Sequence, residues 1–109
     1  MTIVTMYRDK EKRYTGFKVT GHSGYAESGQ DIICAAISTL TITTINAIEE
    51  IVGDACEYQE KEKNGYLRFS LKGEGSEGSQ LLLKSMVLGL SQVQESCNSK
   101  YLKLIYKEV

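Results

Sequence analysis

Cysteine and histidine are the side chains in this sequence best suited to covalent chemistry. The chain has three cysteines, Cys34, Cys56 and Cys97, and one histidine, His22, which lies twelve residues before Cys34. A cysteine attacks a carbonyl carbon as its thiolate, and a neighbouring imidazole can accept the thiol proton and return it to a leaving amine. His22 and Cys34 therefore form the candidate pair of base and nucleophile.

A glycine-bearing loop separates this histidine from the cysteine. Gly21, Gly24 and Gly29 permit backbone angles that other residues avoid, so we expect a mobile loop that covers and uncovers a substrate. Tyr25 lies in the same loop. It either anchors the loop on the core or lines the substrate cleft, and the sequence favours neither reading.

The residue Asp31 immediately precedes a segment with apolar residues at helical spacing. Its carboxylate is placed to cap that helix by accepting the backbone N–H of Ile33 or Cys34. The alternative, that Asp31 orients the His22 imidazole, fits its position less well. With Asp31 as cap, Cys34 occupies the third helical position, where unpaired N–H groups favour a thiolate and are placed to stabilise an oxyanion.

The remaining cysteines carry no signature of a disulfide framework or a zinc site. Three is an odd number, and no C-x-x-C pair occurs. We expect reduced thiols, with Cys56 in a strand and Cys97 on an apolar helix stripe as structural residues. No metal and no cofactor are expected.

Alternating and helical patterns of apolar residues predict five strands and two helices. The predicted strands are 1–7, 14–20, 55–61, 66–72 and 101–106, and the predicted helices are 32–52 and a second one from Leu82 through Cys97. The order ββαββαβ indicates an α+β fold: a two-layer sandwich with a mainly antiparallel sheet and two helices packed on one face.

Three local features qualify this assignment. The Thr- and Ile-rich interior of the first helix, 38–45, would suit a strand, but the length of the segment favours a helix that ends at Gly53. Asn64 and Gly65 predict a tight turn between the third and fourth strands. The stretch 73–79 is rich in glycine and serine and reads as a linker.

Composition limits the classes of protein to which the chain can belong. Its 109 residues fit a single domain, 1–109, and a domain of this size gains from the extra burial of self-association. The net charge of −1 provides no positive field for nucleic acid. The N-terminal residues lack a signal-peptide pattern and no membrane span is expected, so we expect a cytoplasmic protein.

The eighteen residues GHSGYAESGQDIICAAIS, from Gly21 to Ser38, resemble the signature of the bacterial ribosomal-processing cysteine proteases, the Prp family. The resemblance implies a cysteine endopeptidase in which Cys34 is the nucleophile, His22 the general base and acid, and Asp31 a supporting residue. It also implies a homodimer. The implied substrate is large-subunit ribosomal protein twenty-seven, whose N-terminal extension is removed after an aromatic residue during ribosome assembly.

Two other functions remain to be weighed against this protease. One is a non-catalytic ribosome-assembly factor whose glycine loop grips a peptide or an rRNA surface. The other is a thiol-redox protein, but the sequence lacks a second cysteine near Cys34 to resolve a mixed disulfide.

Overall fold

A five-stranded sheet covered by helices is seen in the computed structural model, which describes residues 1–27, 29–61 and 65–109. The strands are β1 (Thr2–Arg8), β2 (Tyr14–Thr20), β3 (Cys56–Lys61), β4 (Tyr66–Leu71) and β5 (Leu102–Glu108). The helices are α1 (Ile32–Ala47), which continues as a π-helical segment over Ile48–Val52, and α2 (Glu77–Ser96). The predicted α+β class is confirmed, with the π-helical segment as an addition to the expected element order.

The strands lie in the order β3-β4-β2-β1-β5, so β2 and β4 are neighbours although α1 and β3 separate them in sequence. Three of the pairings are antiparallel and the β1–β5 pairing is parallel, which makes the sheet mainly antiparallel as predicted. One face of the sheet, which carries Val4, Phe17 and Phe69, packs against both helices. The helices contribute the buried residues Ile37, Ile45, Ile48, Leu83, Met86 and Leu90.

Two buried threonines in the β-branched interior of α1 have their hydroxyls satisfied within the helix. The hydroxyl of Thr41 donates to the Ile37 carbonyl at 2.9 Å, and that of Thr44 donates to the Leu40 carbonyl at 2.7 Å. Each buried hydroxyl is thus satisfied one turn back along its own helix. Burial of Ile37 and Ile45 at helical spacing therefore outweighs the strand propensity of this segment, and the buried hydroxyls lack no partner.

The helical run Ile32–Val52 ends at Gly53, whose φ of +82° is the left-handed conformation predicted for a terminating glycine. These 21 residues are long and apolar enough to cross a membrane by length and composition alone. The same test is passed by the core helix of a folded domain, and this run buries Ile37, Ile45 and Ile48 in the core.

The second helix begins earlier than predicted. The prediction that residues 73–79 form a linker is wrong for the last residues of that stretch, because Ser76 caps α2 and Glu77 is already helical. The Asp54 carboxylate accepts hydrogen bonds from the Ser76 N–H at 2.8 Å and from the Ser79 hydroxyl at 2.6 Å. The Ser76 hydroxyl in turn accepts the Ser79 N–H at 3.3 Å. The start of α2 is therefore set by polar contacts, one local and one with a residue distant in sequence, which the apolar pattern beginning near Leu82 does not show.

Candidate active site

The loop after β2 and the start of α1 bring His22 and Cys34 to the same pocket, which has a volume of about 250 Å³. His22 follows the central strand β2 and its side chain is exposed, whereas Cys34 is half-buried at the third position of α1. The structure therefore brings together the two residues that the sequence selected.

Apolar residues from three elements form much of the wall of this pocket. Val19 comes from β2, Ile37 and Ile42 from α1, and Leu67 from β4. The remaining lining residues are Thr2, Gly21, Ser38, Thr41, Glu60, Gly65 and Tyr66. A pocket of this composition suits an apolar or aromatic side chain held beside the sulfur of Cys34.

The carboxylate of Asp31 caps α1 in the way its position predicted. One oxygen, Oδ1, accepts the Cys34 N–H at 2.9 Å, and Oδ2 accepts the hydroxyl of Ser23. Burial opposes ionisation of this carboxyl, but the hydrogen bonds from Ser23, Cys34 and Ala26 outweigh it and lower the pKa of Asp31 to about 2. Asp31 is thus an anion at neutral pH, and it caps the first turn of α1 through the Cys34 N–H.

Ser23 is a site residue that sequence reasoning missed. It is 2% exposed, its N–H points to Cys34 Sγ at 3.3 Å, and its hydroxyl donates to Asp31. The same hydroxyl oxygen accepts the N–H of Tyr25 at 3.2 Å. Ser23 therefore ties the loop to both the sulfur and the cap. A serine in a glycine loop gives no signal of such a role in the sequence.

The other predicted loop residues surround this network. Gly21, Gly24 and Gly29 all have positive φ angles. The ring of Tyr25 meets the ring of Tyr101 edge to face at 5.3 Å between centroids. Tyr25 thus anchors the loop near the start of β5, and it remains 46% exposed.

The two other cysteines lie away from this pocket. Cys56 begins β3, and burial, together with the charges of Glu49 and Asp54, raises the pKa of its thiol. Cys97 caps the end of α2, one residue beyond the helix on which it was expected. Among the side chains that the structure describes, no group of three His, Cys, Asp or Glu is placed to hold a metal ion.

Comparison with known proteins decides the family. The profile of the family described as cysteine protease Prp matches residues 1–103. The chain belongs to this family. Membership confirms the resemblance drawn from residues 21–38 and the expectation that the protein is a cysteine protease.

Three known proteins resemble the chain over most of their length. The ribosomal processing cysteine protease Prp of Bacillus subtilis (strain 168) is 31% identical over 98 residues, which are 86% of this chain and 88% of that protein. The essential ribosomal processing protease Prp from S. aureus, solved with a covalently linked product peptide, has a TM-score of 0.92 at 25% identity. The match covers 98% of this chain and 100% of the S. aureus chain. SMU.848 from Streptococcus mutans has a TM-score of 0.86 at 29% identity, and the match covers 100% of this chain and 96% of that protein.

The Asp31 cap predicts a measurable loss of stability. Asp31→Ala should lower the free energy of unfolding by about 1 kcal/mol, because the Cys34 N–H loses its acceptor. Urea unfolding followed by circular dichroism measures this loss.

The comparison with Asp31→Asn isolates the charge, since asparagine also caps helices. The folded pKa of about 2 lies below the ordinary value of 3.8, so the charge contributes stability above about pH 4 that is lost as the pH falls through about 2. The stability difference between the parent and Asp31→Asn should therefore shrink with acidification. A difference that stays constant down to about pH 2 contradicts a stabilising charge at Asp31.

Proposed function

We propose that the chain is a cysteine endopeptidase that removes the N-terminal extension of large-subunit ribosomal protein twenty-seven during ribosome assembly in the cytoplasm. Cys34 is the nucleophile and His22 is the general base and acid. The observation that carries this proposal is the meeting of both side chains at one pocket, with Cys34 at the N-terminus of α1. The ribosomal-processing role of the relatives supports the substrate class.

The proposed reaction proceeds through an acyl-enzyme. His22 accepts the thiol proton while Cys34 Sγ forms a bond to the carbonyl carbon of the scissile peptide. The C–N bond then breaks, and His22 returns the proton to the leaving amine. Water attacks the resulting thioester and releases the acid product and the free thiol. The covalently linked product peptide of the S. aureus protein supports chemistry of this kind.

Charge developing on the carbonyl oxygen requires a hydrogen-bond donor near the sulfur. The Cys34 N–H donates to Asp31, so this particular helix N–H is already engaged. The Ser23 N–H instead lies 3.3 Å from Cys34 Sγ. Among the described backbone donors, we assign the Ser23 N–H to the oxyanion. During attack the negative charge moves from the sulfur to the neighbouring carbonyl oxygen, which then lies close to this N–H.

The pocket beside Cys34 supports cleavage after an aromatic residue. Val19, Ile37, Ile42 and Leu67 offer apolar contacts to a ring. The loop bearing Gly24 and Gly29 follows His22 directly, and we assign to it the covering of the bound peptide.

Incubation of the purified chain with the extended ribosomal protein tests the proposal. Mass spectrometry should show two new products whose masses sum to that of the substrate plus one water. The mature ribosomal protein serves as the control and should stay intact. Binding of the extended protein without any new mass would instead support the non-catalytic assembly factor.

We also propose that the protein acts as a homodimer. A domain of this length buries only about two-thirds of its surface on folding. Its helical layer leaves the apolar residues Ile32, Ile51, Leu81 and Leu88 exposed, and a second copy is able to cover them. Sedimentation equilibrium should give twice the chain mass of 12.1 kDa at micromolar concentration. A mass of one chain under those conditions contradicts the dimer.

A further inference from the structure

Gly65 lies just before β4 and lines the same pocket as His22 and Cys34. We propose that Gly65 is a positioning residue that sets the place of the His22 imidazole through direct contact with the backbone that carries it. This inference rests on the proposed function, because it takes His22 to be the base. Gly65 itself touches no reacting atom in the proposed mechanism.

The contact between Gly65 and the histidine loop leaves no room for a side chain. A Cβ at Gly65 would lie 2.5 Å from the Gly21 carbonyl oxygen, 2.8 Å from the Gly21 carbonyl carbon and 3.1 Å from His22 Cε1. Real Cβ contacts essentially never come under 3.0 Å, and the two nearest atoms here are backbone. Only glycine therefore allows this approach without moving Gly21 and the adjoining His22.

Gly21 is confined on its other side as well. A Cβ at Gly21 would lie 2.6 Å from the carbonyl oxygen of Met1, and the Thr2 hydroxyl lies 3.5 Å from the Gly21 carbonyl oxygen. The backbone at Gly21 is thus held between the start of β1 and Gly65. A group added at Gly65 has to displace the histidine segment or shift the start of β4.

Sheet pairing holds Gly65 in this place. Leu67 of β4 pairs with Val19 of β2, so the chain entering β4 passes beside the chain leaving β2. Tyr66 also pairs with Lys61 of β3. Because β4 is paired on both sides at Leu67, whereas His22 lies beyond Thr20, the last paired residue of β2, we infer that the displaced group is the His22 end of the Gly21–His22 segment.

Gly53 provides the matched control for the backbone effect of a substitution. Gly65 has a φ of +57° and Gly53 a φ of +82°, both in the left-handed region that alanine adopts at a cost. A Cβ at Gly53 would meet nothing within 4 Å. Gly53→Ala therefore carries the backbone strain without any contact to His22.

The test measures kcat and KM for cleavage of the extended ribosomal protein. Gly65→Ala should lower kcat about tenfold to a hundredfold with a smaller change in KM, since a displacement of about 1 Å is enough to cost that much. Gly53→Ala should match the parent in both constants. Gly65→Asn, which tolerates the left-handed backbone better but also carries a Cβ, should behave like Gly65→Ala. Parent-like kcat in both Gly65 variants, or failure of both to fold, overturns the proposal.

A double-mutant cycle with His22→Ala separates positioning from obstruction of the substrate. If Gly65 acts through His22, adding Gly65→Ala to His22→Ala should cause no further loss of kcat. If the losses of kcat from the two substitutions multiply, the methyl group at Gly65 acts on the substrate. That result contradicts the Gly65 proposal alone. Full activity of His22→Ala by itself would instead remove the proposed base, so the two failures give different results.

Discussion

Replacing Cys34 with alanine should reduce cleavage of the extended ribosomal protein by at least about 10⁴-fold, because the residual pocket can only orient the peptide. The fold should survive, since the hydrogen bond from the Ser23 N–H to the sulfur is worth only about 1 kcal/mol. Mass spectrometry of the products measures the loss, and thermal unfolding checks the fold. Cleavage by Cys34→Ala at the parent rate would overturn the nucleophile assignment.

The chain supplies its own controls for this substitution. Cys56→Ala and Cys97→Ala should cleave as the parent does, because neither thiol lines the pocket of His22. Alkylation gives a companion measurement that needs no substrate. Brief iodoacetamide treatment below neutral pH should label Cys34 before Cys56, because burial raises the pKa of the Cys56 thiol and keeps it protonated. Equal labelling of all three cysteines would contradict an activated Cys34.

The parts of the site that sequence could predict are those encoded by neighbouring residues. Asp31 predicts the helix start because a cap acts on the next three residues, and this prediction placed Cys34 correctly at the N-terminus of α1. The bounds of β2, Tyr14–Thr20, follow from an alternation confined to the strand itself. Local patterns therefore located the proposed nucleophile, Cys34, and the strand that precedes the proposed base, His22.

The parts that sequence could not predict depend on contacts between distant segments. Ser23 gains its role only when the loop folds back on Asp31 and Cys34. The start of α2 is capped locally by the Ser76 hydroxyl, but that serine is itself held by Asp54, which precedes the β3–β4 hairpin in sequence. Such partners have no periodic or spacing signal.

The role proposed for Gly65 also depends on a contact between distant segments that the sequence does not show. Its sequence context indicates a tight turn with Asn64, and Asn64 lies outside the described residues. The positive φ of Gly65 agrees with a turn residue. Its contact with Gly21, however, follows from the strand order that places β4 beside β2, and one strand sequence does not reveal its neighbours.

Replacing His22 with alanine should lower kcat/KM by about 10²- to 10⁴-fold, the usual contribution of a positioned general base. The substitution should slow the chemical step and leave the stability of the fold unchanged, because the His22 side chain is exposed and lines an open pocket. Removal of the ring leaves space beside Cys34, so imidazole added to the solution should restore part of the activity. Initial cleavage rates at increasing imidazole concentration measure both effects.

His22→Asn is the control that distinguishes proton transfer from hydrogen bonding. An asparagine amide keeps hydrogen-bonding groups but cannot accept and return the thiol proton at neutral pH. The Asn variant should therefore be as slow as His22→Ala. Since His22 is the only histidine in the chain, no second imidazole can replace it. Near-parent activity of His22→Asn would assign His22 a hydrogen-bonding role, and activation of Cys34 would then have to come from the Ser23 N–H and the α1 N-terminus.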